Sequence, residues 1–189
     1  TSKKKQFNYV KPRKRNSQIK IEKICTDHLK EIGAYLSPNS YKKCLFNEDF
    51  VVEASVIIPV RNRERTIADA IQSVLEQEAP FPFNLIIVDN HSTDNTTSII
   101  NSFTTDSRVI HIIPEREDLG IGGCWDLAVR SPHCGKFAIQ LDSDDIYSGK
   151  ETIKQIVDKF YSEQCAMVIG SYRMCNFQLE TLPPGLIDH

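Results

Sequence analysis

The sequence is short of the features that would carry it across a membrane. No uninterrupted apolar run approaches the roughly 20 residues that span a bilayer. The N-terminus is basic, but no apolar core follows it, so no secretory signal is legible and a cytoplasmic location is expected. Cysteine chemistry is also thin. Cys25, Cys44, Cys124, Cys134, Cys165 and Cys175 form no CxxC pair and have no zinc spacing with the five histidines. Most lie in apolar segments, as reduced structural cysteines do, which argues against a disulfide framework. Glycine is missing from the loop at 61–66, and Gly120-Ile121-Gly122-Gly123 lacks the GxGxxG spacing, which excludes a dinucleotide fingerprint. Acid is absent from residues 1–15, which hold seven Lys or Arg. With those seven removed from the total of −2, residues 16–189 carry −9. A basic arm at 1–16 reads as a solvated, flexible tail or as a peripheral contact for the anionic inner face of a membrane; nucleic acid is the less favoured partner.

What is present is the composition of a globular α/β chain: 40% hydrophobic and 25% charged residues in 189. Residues 17–36 read as an amphipathic helix, with Ile21, Ile24, Cys25, His28, Leu29, Ile32, Tyr35 and Leu36 at three- and four-residue steps. Ser17 is the expected cap and Pro38-Asn39 the expected stop; His28 lies in the stripe and reads as packing. Residues 37–52 read as a linker. Strands are expected at 54–59, 85–88, 108–113, 136–141 and 166–170, and Pro183-Pro184-Gly185 should break regular structure after them. Between the strands lie expected helices at 67–75, at 95–103 with Ser92 and Thr93 as caps, after a glycine-bearing loop at 119–123, and at 151–161. Such alternation implies an α/β fold, a mostly parallel sheet with helices on both faces. Ligands then bind beyond the carboxyl ends of the strands.

Three of those ends are polar: 61–65, 89–94 and 142–145. The apolar run from Phe137 to Leu141 finishes in Asp142, Asp144 and Asp145. In extended chain Asp142 and Asp144 point the same way. Neighbouring carboxylates repel, and a hard divalent cation with oxygen ligands removes the conflict while leaving positions for substrate phosphates. The plainer alternative is a solvated acidic turn. Arginines at the first strand end can meet phosphate oxygens in bidentate fashion.

Taken in order and spacing, these blocks resemble the family 2 glycosyltransferases with the GT-A (Rossmann-like) fold. The resemblance rests on Ser55-Val56-Ile57-Ile58-Pro59-Val60-Arg61-Asn62-Arg63, on Ile87-Val88-Asp89-Asn90-His91-Ser92-Thr93-Asp94-Asn95-Thr96, and on residues 120–128 followed by 135–145. It covers 54–172 and leaves the first fifty residues out. It implies a nucleotide pocket formed by Pro59, Val60, Arg61, Asn62 and Arg63. Asp89 would receive the base, Asp94 would belong to the same pocket, and Asp142 and Ser143 would lie near ribose or sugar. It implies Mn2+ or Mg2+ on Asp144, with Asp142 and Asp145 able to share it. The implied activity is inverting, metal-dependent transfer of a sugar from a nucleotide-diphosphate sugar, UDP favoured over dTDP and GDP, to a hydroxyl of a glycan or lipid-linked acceptor in polysaccharide or cell-surface glycan synthesis. Where the family often has Ala-Arg-Asn this chain has Cys124-Trp125-Asp126, which leaves the donor's sugar contacts open; Trp125 reads either as a stacking surface for sugar or, as is more common for an indole at a helix start, as core. The catalytic base is expected beyond residue 189, with Asp188 a weak candidate. Residues 53–189 are therefore expected to be a donor-binding domain that stops before the acceptor-binding half. A non-catalytic nucleotide-sugar-binding or scaffold module is the alternative. A sugar-nucleotide pyrophosphorylase would need a glycine-rich loop after the first strand, and 61–66 has none.

Overall fold

The computed structural model describes residues 15–37, 40 and 42–187. The basic arm up to residue 14, Pro38, Asn39 and Asp188 lie outside the described residues. The chain divides into two compact units, Cys44–Ala166 and a second unit drawn from the residues on either side.

The first unit is built on β1 (Ala54–Val60), β2 (Phe83–Asp89), β3 (Val109–Ile112) and β4 (Phe137–Gln140). All pairings are parallel, in the order β3-β2-β1-β4. Every residue of β1 and β2 is buried, which is why both read as continuous apolar runs. Alternate side chains feed opposite faces. Val56, Ile58, Val60, Leu85 and Ile87 meet α2 (Ile67–Leu75), α3 (Thr96–Phe103) and α5 (Thr152–Glu163) through Ile67, Ile71, Val74, Ile100, Ile153 and Val157. Ile57, Ile86 and Val88 meet Cys124 and Ala128 of α4 (Gly120–Val129), with Trp125 packed at the margin, as core. Each fully buried Ile contributes about 1.5–3 kcal/mol against exposure.

Close backbone approach holds the amino ends of the strands. The Gly135 N–H donates to Ser55 Oγ at 2.7 Å, and Asn84 Nδ2 donates to the His133 carbonyl at 2.8 Å. A Cβ on Gly135 would stand 2.8 Å from the Val52 carbonyl oxygen.

Several elements depart from what the sequence pattern predicts. Residues 166–170 form no strand; Met167 and Ile169 are 70% and 64% exposed. An apolar run becomes a strand only where a neighbour completes its ladder, and this one has none. Pro183-Pro184-Gly185 lies inside β6 (Thr181–Ile187), which pairs antiparallel with β5 (Tyr172–Cys175) in the second unit. In a two-stranded hairpin both strands are edges, where a proline's missing N–H is tolerated. In α1 (Arg15–Glu31) the helix is already under way at Arg15, so Ser17 is interior and not a cap. It ends at Gly33, not at Pro38: Gly33 has φ +70°, its N–H donates to Lys30, and the Ala34 N–H donates to Leu29, the paired bonds of a left-handed C-cap. No residue of α1 is buried, so His28 is exposed and not part of a packed core.

Candidate functional site

The strand order places a switch point between β1 and β4, the position where open parallel sheets form a crevice. The β1–β4 pairing stops at Ile57↔Gln140, with one further bond from the Leu141 N–H to the Ile57 carbonyl at 3.2 Å. The next residues on that side of β1 have no strand beside them. Pro59 sits there, so its missing N–H breaks no ladder. The gap is a cavity of about 490 Å3. Pro59, Val60, Arg61 and Arg63 form one wall, and Asp142, Ser143 and Asp144 face it from the end of β4. Asn90 and the first turns of α4, through Gly120, Ile121 and Cys124, complete it.

The glycine segment expected as a loop is the start of α4 itself. Gly120 has φ +58°, and a Cβ at Gly123 would stand 2.8 Å from the Leu119 Cβ. The left-handed backbone at 120 and the close approach at 123 favour glycine where the chain enters the helix, and its first turn meets the cavity. Amide groups at a helix N-terminus favour negative charge.

Charge is divided across the cavity. Arg63 Nε lies 3.7 Å from Asp144 Oδ2, joining the β1 and β4 walls. Both side chains are about half exposed, so the pair contributes little to stability. Asp142 Oδ1 accepts from Gln140 Nε2 at 3.3 Å. Asp145 is on the outer side of the turn, where its N–H donates to the Asp142 carbonyl at 3.1 Å; its side chain is exposed and it does not line the cavity. Partial burial, and then the charges of Asp142 and Asp144, push its carboxyl upward. Among the described residues no three His, Cys, Asp or Glu side chains converge to hold a metal alone. The donor set still fits a hard divalent cation that takes carboxylate oxygens from Asp142 and Asp144 and its remaining ligands from outside the protein.

Asp89, expected at the base, does not reach the cavity. Its side chain is 0% exposed and points into the interior. Oδ1 accepts the Ser92 N–H at 2.9 Å, and Oδ2 accepts the Thr97 hydroxyl. His111 Nε2 is 3.7 Å from Oδ2, beyond direct hydrogen-bond range, while its Nδ1 lies 3.0 Å from Asn101 Oδ1. Burial pushes the Asp89 carboxyl up, but these polar neighbours outweigh it and hold the group well below the usual carboxylate range. The residue that does line the cavity is the next one. Asn90 is 6% exposed, and its Oδ1 is buried without a hydrogen-bond partner. Reading β2 by its period of two finds this residue, because Asn90 continues the parity of Ile86 and Val88 towards α4. Gly120, Ile121 and Cys124 also line the cavity without having been expected as site residues. Burial, then the Asp89 charge, push the Cys124 thiol up, so it serves as apolar wall.

Asn62 and Asp94 join the first two strand-end loops to each other. Asn62, with φ 55°, accepts the Thr93 N–H on Oδ1 at 2.7 Å and donates its own N–H to Ser92 Oγ at 3.0 Å. Asp94 accepts the Glu64 N–H at 3.2 Å and the Thr96 N–H at 3.0 Å. Glu64 accepts the Asn95 N–H at 3.1 Å, and the Arg63 N–H donates to Thr96 Oγ1 at 2.7 Å. Ser92 and Thr93 therefore serve this lacing; the first amide of α3 is met by Asp94 instead. The Thr96 contact above all holds the Asp94 carboxyl below its ordinary range. Neither Asn62 nor Asp94 lines the cavity, and the lacing fixes Arg61 and Arg63 at its edge.

A sequence model described as glycosyl transferase family 2 matches residues 55–186. Over 120 residues, 64% of this chain, the sequence is 30% identical to the putative teichuronic acid biosynthesis glycosyltransferase TuaG of Bacillus subtilis, of which it covers 46%. Over 129 residues, 68% of this chain, it is 32% identical to the Escherichia coli UDP-Glc:alpha-D-GlcNAc-diphosphoundecaprenol beta-1,3-glucosyltransferase WfgD, of which it covers 48%. The chain thus spans under half the length of these curated relatives. The structure is similar to that of Staphylococcus aureus TarS residues 1–349 in complex with UDP-GlcNAc, with TM-score 0.50 and 27% identity over 58% of this chain and 31% of that one.

Proposed function

We propose a donor-site role for this chain, which belongs to glycosyl transferase family 2: it binds a nucleotide-diphosphate sugar, UDP favoured, in the cavity between β1 and β4. The whole protein then transfers the sugar with inversion to a hydroxyl of a glycan or lipid-linked acceptor in cell-surface glycan synthesis. The observation that carries the reading is the meeting of Arg61 and Arg63 with Asp142 and Asp144 around one crevice at the switch point of a parallel sheet. Similarity to a structure holding UDP-GlcNAc supports the choice of UDP.

In this reading Arg61 and Arg63 take the diphosphate oxygens, and the first turn of α4 adds favourable backbone dipoles. Asn90 faces the base, since its unpaired buried oxygen needs a donor and a pyrimidine imide offers one. Asp89 braces the loop behind it through Ser92 and Thr97. Ser143, 7% exposed, lies against the sugar side of the nucleotide with Asp142. Asp142 and Asp144 would hold Mn2+ or Mg2+, which supplies charge neutralisation to the departing diphosphate when bound. Among the described residues, no carboxylate lines the cavity besides these two. The base that takes the acceptor proton is therefore assigned to the acceptor-binding part of the whole protein, for which the greater length of the relatives leaves room.

Calorimetric titration with UDP, with and without Mn2+, tests the reading. Binding should require the metal and disappear in Asp144→Ala. Arg63→Ala should weaken it about tenfold, the loss of one charge-assisted contact. Equal UDP affinity in wild type and Asp144→Ala with Mn2+ present would overturn it.

A further inference from the structure

Helix α1 has an apolar face that the fold leaves bare. Ile21, Ile24, Cys25 and Leu29 fall on one side at three- and four-residue steps, and none is buried. Ile21 is 60% and Ile24 66% exposed. Lys23 and Lys30 fall on the opposite side with Asp27, and Lys20, Glu22 and Glu31 flank the apolar face. We propose that α1 lies in the surface of an anionic lipid bilayer, its apolar face at the acyl boundary and the preceding basic segment on the headgroups.

Charge selects this occupant. Residues 1–15 hold seven cations and no acid, whereas residues 16–189 carry −9. An anionic surface attracts the first segment and repels the rest, so α1 is brought to the bilayer in one orientation. Weak apolar insertion and a polybasic stretch together give a stable peripheral anchor where either alone is marginal. Length argues against a membrane span. No described helix is long and apolar enough to cross a membrane. Nucleic acid would engage the cations but leave the apolar face uncovered.

The test is co-sedimentation of the full chain with vesicles of phosphatidylglycerol mixed with phosphatidylcholine, and with phosphatidylcholine alone. The proposal expects binding to the anionic vesicles only. The bound fraction should fall at least roughly tenfold in I21E/I24E, whose fold is checked by circular dichroism, and in a variant with Lys3, Lys4 and Lys5 replaced by Glu. Three outcomes overturn it. One is the absence of vesicle binding. Another is binding lost on charge reversal but unchanged in I21E/I24E, which leaves the arm as a purely electrostatic contact. The third is a dimer in analytical ultracentrifugation that I21E/I24E dissociates without any lipid binding, which assigns the face to a second copy.

Discussion

Asp89 and Asn90 adjoin in sequence and face opposite ways. The carboxylate is consumed by Ser92 and Thr97 inside the protein, while the amide is left for the cavity. Asp89→Asn should lower stability at pH 7 by about 1.5–3 kcal/mol, the scale of a buried charge-assisted hydrogen bond. Because the folded group titrates below its unfolded value, its contribution is complete above about pH 4 and is lost as pH falls further towards the folded value. The gap between the urea midpoints of wild type and Asp89→Asn should therefore narrow from pH 7 down to pH 3. A constant gap would show that ionisation of Asp89 stabilises nothing. The motif Ile87-Val88-Asp89-Asn90 makes a polar strand end legible in sequence, but which of its two polar residues meets a ligand depends on pleat parity and on which face α4 covers. At the opposite end of the sheet, Gly135→Ala should cost about 1–3 kcal/mol through overpacking against Val52, read as a fall in the urea midpoint with unchanged slope.

Among the elements, β1, β2, α2 and α5 were legible because unbroken apolar runs and helical spacing are local properties. The start of α4 was not: three glycines in four residues read as a loop, and only the left-handed backbone at Gly120 and the approach of Leu119 to Gly123 show why the helix start uses glycine at those two positions. The lacing of the first two strand-end loops was equally hidden, since Asn62 and Asp94 look like ligands in a motif and act on each other's loops in the structure. Asn62→Ala should destabilise the domain by about 1–2 kcal/mol, combining lost hydrogen bonds with a left-handed backbone that alanine resists. It should also weaken UDP binding by loosening Arg63. Asn62→Gly keeps the backbone freedom and should recover part of the stability but not the full affinity, which a purely conformational role for Asn62 would restore.

Across the whole molecule, the order β3-β2-β1-β4 turns scattered motifs into one site. Strand ends separated by more than eighty residues, Arg61 and Asp142, meet because β1 is central and β4 leaves it after Ile57. That convergence could be inferred from βα alternation, which forces the sheet to be parallel. The absence of a strand at 166–170 could not, because pairing is a property of partners and not of the run. In the proposed donor-site role, nucleotide diphosphate occupies this crevice. Amide hydrogen exchange on the chain with UDP and Mn2+ added tests it most directly. Slowed exchange confined to Arg61, Arg63, Asn90, Ile121, Cys124 and the 142–144 turn is the predicted result. Protection appearing elsewhere, with these amides exchanging as in the free protein, would contradict it.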